Sequence, residues 1–205
     1  MQAEIYSGLT PLLALFILTF AATKLGNGRK SKLGLVEPRR GRNAAQIVAN
    51  LGAAGLAALV GFALPLGYHV SAIMLLACLA EATADTVSSE IGSAFGGQPF
   101  LVTTFRRVPP GTDGAISLLG TLAGSIAAAI VVAIGLWSLG LTWQEALLAF
   151  TGGFAGLWFD SLLGATVERR GWLGNDLVNF SSTVFAGLVP AVFVFLFQRP
   201  IFPGF

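Results

Sequence analysis

The stretch Val70–Ala94, VSAIMLLACLAEATADTVSSEIGSA, decides the fold. Its first eleven residues are apolar or small, and no Gly or Pro interrupts it before Gly92. As a helix rising about 1.5 Å per residue, it is long enough to cross a hydrocarbon layer of about 30 Å. Its second half carries Glu81, Asp85 and Glu90. A carboxylate inside a bilayer costs at least about 2.5–3.5 kcal/mol, so three acids within ten residues exceed what helix packing needs and mark a polar site. Glu81, Asp85, Ser88 or Ser89 and Gly92 follow the i, i+4, i+7/i+8 spacing of one helix face, which therefore offers two carboxylates and a hydroxyl.

Similar apolar runs flank this one: about 5–22 and 44–66 before it, and 114–137, 145–167 and 180–197 after it. Together they predict an all-α, polytopic integral membrane protein of about six transmembrane helices, with residues 1–205 forming a single domain. The composition agrees, with mean hydropathy +0.78, 55% hydrophobic residues and 11% charged ones. That charged share is less than half of what a soluble domain carries. Glycines at four-residue spacing, such as Gly120/Gly124 and Gly152/Gly156, let helix backbones approach closely.

Charge sets the expected orientation. Placing the N-terminus outside puts Lys24, Arg29, Lys30, Lys32, Arg39, Arg40, Arg42, Arg106, Arg107, Arg169 and Arg170 in the cytoplasm and leaves Arg199 outside. The basic pI near 9.0 thus reflects orientation, not a nucleic-acid partner. The basic loop 24–42 reads as an orientation and anionic-lipid signal that could also funnel nucleotide, and its Gly26–Ser31 segment lacks the spacing of a phosphate-binding P-loop. The expected home is a prokaryotic cytoplasmic membrane, with the polar site facing the cytoplasm.

Cys78 stands alone in an apolar run, and His69 reads as a solvated interfacial histidine. Cys/His zinc chemistry is thereby excluded, and any metal should be hard and oxygen-liganded, such as Mg²⁺.

Past the first polar helix comes TTFRRVPPGTDGAIS, residues 103–117, a loop feeding straight into the next span. Free N–H groups at a helix start, flexible Gly111 and Gly114, and the hydroxyls of Thr112 and Ser117 would receive a phosphate, although Thr112 or Asp113 could simply cap the helix. Farther on, Asp160, Gly164 and Glu168 share one helix face, with Ser161 beside Asp160. The segment GNDLVNFS, residues 174–181, then opens the last span with Asp176, Asn179 and Thr183 on one face; Asn175 or Asp176 could act there as a cap.

The ordered motifs Asp85-Thr-x-x-Ser89-Glu90-x-Gly92, Thr103-Thr104 with Val108-Pro109-x-Gly111-Thr112-x-Gly114, Asp160-Ser161-x-x-Gly164-Ala165 and Asn175-Asp176-x-Val178-Asn179 resemble the membrane family typified by plant phytyl-phosphate kinase. Arg42-Asn43, Gln46 and Ala49-Asn50 fit the same pattern. The family is distantly similar to polyprenol kinases and CTP-dependent cytidylyltransferases. The resemblance implies a nucleotide-dependent enzyme that phosphorylates a prenyl, phytyl-like monophosphate to the diphosphate, with CTP or another nucleoside triphosphate as donor.

On this reading Asp85 and Asp160 are the Mg²⁺ ligands, and with Glu90 and Asp176 they form the catalytic set. Thr104, Gly111, Thr112 and Gly114 would hold the nucleotide phosphates, with Arg106 or Arg107 stabilising charge. Asn50, Ser89 and Asn179 would orient the lipid phosphate. Membrane lipids and a second copy of the chain, covering an exposed side, are the other expected partners. The alternatives are a cation-coupled transporter, a prenol kinase and a lipid-phosphate nucleotidyltransferase.

Overall fold

A computed structural model describes residues 8–35, 44–63 and 67–201. Six α-helices occur among them: α1 (Leu9–Lys32), α2 (Ala44–Ala63), α3 (Tyr68–Phe95), α4 (Leu118–Ser138), α5 (Trp143–Leu163) and α6 (Asn175–Ile201). Five are long and apolar enough to cross a membrane, and α2 contributes a shorter apolar stretch, Asn50–Val60. The α3–α4 connection adds a two-stranded antiparallel ribbon, β1 (Phe100–Leu101) with β2 (Ala115–Ile116), paired Phe100 to Ile116 and Leu101 to Ala115.

The stretch that opened the sequence reading becomes the axis of the molecule, because α3 packs against every other helix. Small residues make this crowding feasible. A Cβ on Gly120 would come within 2.6 Å of the Ser88 carbonyl, and one on Gly124 within 2.6 Å of the Ala84 carbonyl, so α4 lies backbone to backbone on α3. Gly156 plays the same part on α5, where a Cβ would stand 2.6 Å from Glu81 Cγ and 2.7 Å from Ala186 Cβ. Without a hydrophobic driving force between helices in lipid, such close van der Waals packing holds the bundle together.

Helix starts depart from the sequence reading in one instructive place. α4 begins at Leu118, not Gly114, and its cap is Ser117, whose Oγ accepts from Gly120 N at 3.1 Å. Thr112 and Asp113 are not the cap, because Gly114 takes a left-handed φ of 69° and the next two residues pair with β1. α5 starts with a capping box in which Thr142 and Glu145 exchange hydrogen bonds. Its far end runs on as a π-helical turn, Gly164–Glu168.

α1 also differs from expectation. It continues as helix through Lys32, so Lys24–Lys32 is not loop; residues 36–43, with Arg39, Arg40, Arg42 and Asn43, lie outside the described residues. The same holds for the predicted start of the first span and end of the second. His69, expected to be simply solvated, places Nδ1 2.8 Å from Glu145 Oε1, while Tyr68 donates to the Leu139 carbonyl at 3.1 Å. These contacts tie the α3, α4 and α5 termini together at the end of the bundle where Trp137 and Trp143 are exposed, as interfacial aromatics are.

Candidate functional site

At the opposite end, where α3 and α5 finish and α4 and α6 begin, the helices splay around a cavity of about 890 Å³. α3 supplies Asp85, Ser88, Ser89 and Glu90; α5 supplies Asp160 and Ser161; α6 supplies Asp176 and Asn179; and α2 supplies Asn50. The loop Gly111–Ser117 forms a further wall. These five chain segments therefore meet on one space, and Asn179 Nδ2 donates to Asn50 Oδ1 at 3.0 Å across 129 residues of sequence.

The loop is held by backbone shape. Gly114 stacks so tightly on the π-helical turn that a Cβ would collide with the Ala165 backbone, and a Cβ on Gly164 would lie 2.7 Å from Gly114 N. Gly114, a candidate for cradling a phosphate, thus first seats the loop on the end of α5. Thr112 donates its hydroxyl to the Pro109 carbonyl at 2.7 Å, which stabilises the turn from within. Gly111 has φ 82°, and a Cβ there would meet Leu35 Cδ2 at 2.8 Å.

Three predicted residues stand elsewhere. Thr104, Arg106 and Arg107 are exposed on the ribbon and do not line the cavity. Arg107 lies 5.2 Å over the Phe100 ring, and Thr104 Oγ1 accepts from Arg106 N at 3.4 Å. The turn before Phe105, itself at φ 53°, carries these side chains away from the cavity wall.

The structure also gives specific partners to residues that the sequence left outside the named catalytic and binding set. Glu81 is 1% exposed, and both of its oxygens are engaged: Ser182 donates to Oε1 at 2.8 Å and Thr183 to Oε2 at 2.6 Å. Ser182 Oγ also lies 3.1 Å from Asp160 Oδ2. A buried hydroxyl thus joins the α3 acid to the α5 acid, and a buried carboxylate left without such partners would be costly. Glu81 shares the Asp85 face in sequence, but its partners lie a hundred residues away, where no local spacing could reveal them. Lys30 is the second addition, for its Nζ sits 2.7 Å from Glu90 Oε2 on the cavity wall.

Glu81, Asp85 and Asp160 lie near enough to act on one another electrostatically. Among the described residues, however, no three His, Cys, Asp or Glu side chains converge as a ready-made metal cage. Two cavity-facing carboxylates, Asp85 and Asp160, with hydroxyls and amides beside them, are a donor set that suits a hard divalent ion keeping most of its waters or phosphate oxygens. The residues present therefore fit Mg²⁺ arriving with a phosphate, and do not fit a closed structural site.

The family model described as integral membrane protein DUF92 matches residues 2–187. An uncharacterized membrane protein of Methanocaldococcus jannaschii is 36% identical over 179 residues, covering 87% of this chain and 72% of that protein. Protein VTE6, chloroplastic, of Arabidopsis thaliana is 34% identical over 180 residues, covering 84% of this chain and 54% of VTE6. An uncharacterized membrane protein of Synechocystis is 33% identical over 193 residues, covering 91% of this chain and 73% of that protein. No solved structure matches the chain.

Proposed function

The chain belongs to the DUF92 family of integral membrane proteins, and from that premise we propose that it transfers the terminal phosphoryl group of a nucleoside triphosphate to a prenyl monophosphate at the membrane surface. The observation that carries this reading is the convergence of Asp85, Asp160, Asn50, Asn179 and the Gly111–Ser117 loop on one cavity at the end of an apolar bundle. A water-soluble nucleotide and a phosphate whose tail stays in the bilayer can meet only at such a boundary.

In the reaction an oxygen of the lipid phosphate attacks the terminal phosphorus of the nucleotide. The bond to the bridging oxygen breaks, and nucleoside diphosphate and lipid diphosphate leave. Alignment and charge neutralisation dominate such a step, since the acceptor is already anionic and needs no strong base. A site without histidine suits this chemistry. Mg²⁺, when bound, would neutralise phosphate oxygens, and Asp85 and Asp160 are the residues that would hold it.

The remaining residues would orient the reactants. The first N–H groups of α4 beyond the Ser117 cap lie beside the loop and suit an anionic group. The linked amides of Asn50 and Asn179 offer donors to the lipid phosphate. Glu81 acts through Ser182 to hold Asp160. The concentration of positive charge at the cavity end supports a cytoplasmic site with the N-terminus outside.

The reading is tested by incubating purified full chain with Mg²⁺, nucleotides labelled at the terminal phosphate, and a panel of prenyl alcohols and monophosphates. Label in a lipid diphosphate is expected. Label that reaches lipid only from the nucleotide base or α-phosphate would indicate nucleotidyl transfer instead, and label entering only alcohols would indicate a prenol kinase.

A further inference from the structure

The sequence places Lys30 in a basic run read as an orientation and anionic-lipid signal, but α1 carries it into the cavity. Past the apolar part of the helix, α1 lies directly on the last turns of α3: a Cβ on Gly26 would stand 3.1 Å from Ala94 Cβ and 3.3 Å from the Glu90 carbonyl. One turn later Lys30 reaches Glu90 at 2.7 Å, with the two side chains 16% and 17% exposed. Other cations of α1 turn elsewhere, Lys24 over the Phe20 ring and Arg29 over the Phe95 ring. Leu35, just past α1, rests against Gly111, so the end of α1 and the Gly111–Ser117 loop are neighbouring walls.

Among the described lining residues Lys30 is the one cation, in a cavity also lined by Asp85, Asp113, Asp160, Glu168 and Asp176. An anionic ligand entering such a space needs a compensating charge. A largely shielded ammonium in turn needs a partner to hold it. We propose that Lys30 is a polyphosphate-binding residue of this cavity and that Glu90 is its latch, holding the ammonium toward the cavity until a nucleoside polyphosphate takes it. Glu90 is then the partner that the ligand displaces from Lys30, not a metal-supporting acid. The inference rests on the phosphoryl-transfer reading for its choice of ligand, and it names the side chain that receives the donor.

The test is equilibrium binding of inorganic tripolyphosphate and of CTP, each with Mg²⁺, to the full chain in lipid nanodiscs. Lys30→Met should weaken both by about tenfold or more, the worth of one charge-assisted contact. Lys30→Arg should recover most of that loss. Glu90→Gln, which releases the ammonium, should bind both probes at least as tightly as the wild type, and the double variant should bind no better than Lys30→Met. In turnover, Lys30→Met should raise KM for the nucleotide while leaving KM for the lipid monophosphate in place. Wild-type affinity in Lys30→Met, an equal loss in Glu90→Gln, or no binding of either probe by the wild type would overturn the assignment. Lys30-dependent tripolyphosphate binding without any lipid phosphorylation would instead sink the transfer reading and leave the anion site standing.

Discussion

Asp85 and Asp160 face the cavity from different helices, and neither caps a helix, so their burial is not explained by local structure. If they hold the ion that accompanies the phosphates, Asp85→Asn and Asp160→Asn should each lower turnover by about a hundredfold or more while the protein still folds. Steady-state rates on protein of unchanged melting temperature check this. Glu81 should behave differently, because its engagement is with Ser182 and Thr183. Glu81→Ala removes the carboxylate that ties Ser182 and Thr183 to α3, leaving them the Asn179 carbonyl, and opens a hole, a loss of about 2–4 kcal/mol that thermal unfolding in detergent would register. Glu81→Gln keeps the shape and one acceptor, so it should lose much less stability.

At the scale of elements, the junction between the Gly111–Ser117 loop and the π-helical turn of α5 is where backbone shape sets the site. Gly114→Ala must strain a left-handed φ and push the loop off Ala165, whereas Gly140→Ala meets a φ of 64° with open space around it. The first change should abolish most activity and the second cost about 1–2 kcal/mol of stability with activity retained, measured by turnover and melting temperature side by side. The faces carrying Asp85, Asp160 and Asn179 were legible in the sequence because a 3.6-residue period fixes which side chains align. The ribbon was not legible. Its strands are two residues long, and backbone pairing rather than side-chain periodicity turns Thr104, Arg106 and Arg107 outward. Lys30 was hidden for a related reason: a charge run reads as solvated until the close approach at Gly26 shows that its helix continues against α3.

For the whole molecule, apolar length was enough to read the helical membrane architecture, since each span must satisfy its own backbone hydrogen bonds. The central position of α3 was not readable from length, because it depends on glycines of α4 and α5 matching carbonyls and small side chains of α3. The proposed sidedness, with the cavity on the cytoplasmic face, rests on the clustering of Lys and Arg at the cavity end and can be checked directly. In a Cys78→Ala background, a cysteine replacing exposed Phe105 should react with an impermeant maleimide only when the cytoplasmic face is open, and one replacing Gly140 only from the outer face. The reverse pattern would place the cavity outside and remove access to cytosolic nucleotide.

The proposed work of this cavity is to move a terminal phosphoryl group onto a lipid phosphate. The most direct measurement follows label from the terminal phosphate of CTP into prenyl monophosphate, using wild-type protein beside Asp85→Asn and Asp160→Asn. Labelled lipid diphosphate is expected from the wild type and next to none from either variant; label that never enters lipid, or full transfer by both variants, would rule out phosphoryl transfer at Asp85 and Asp160.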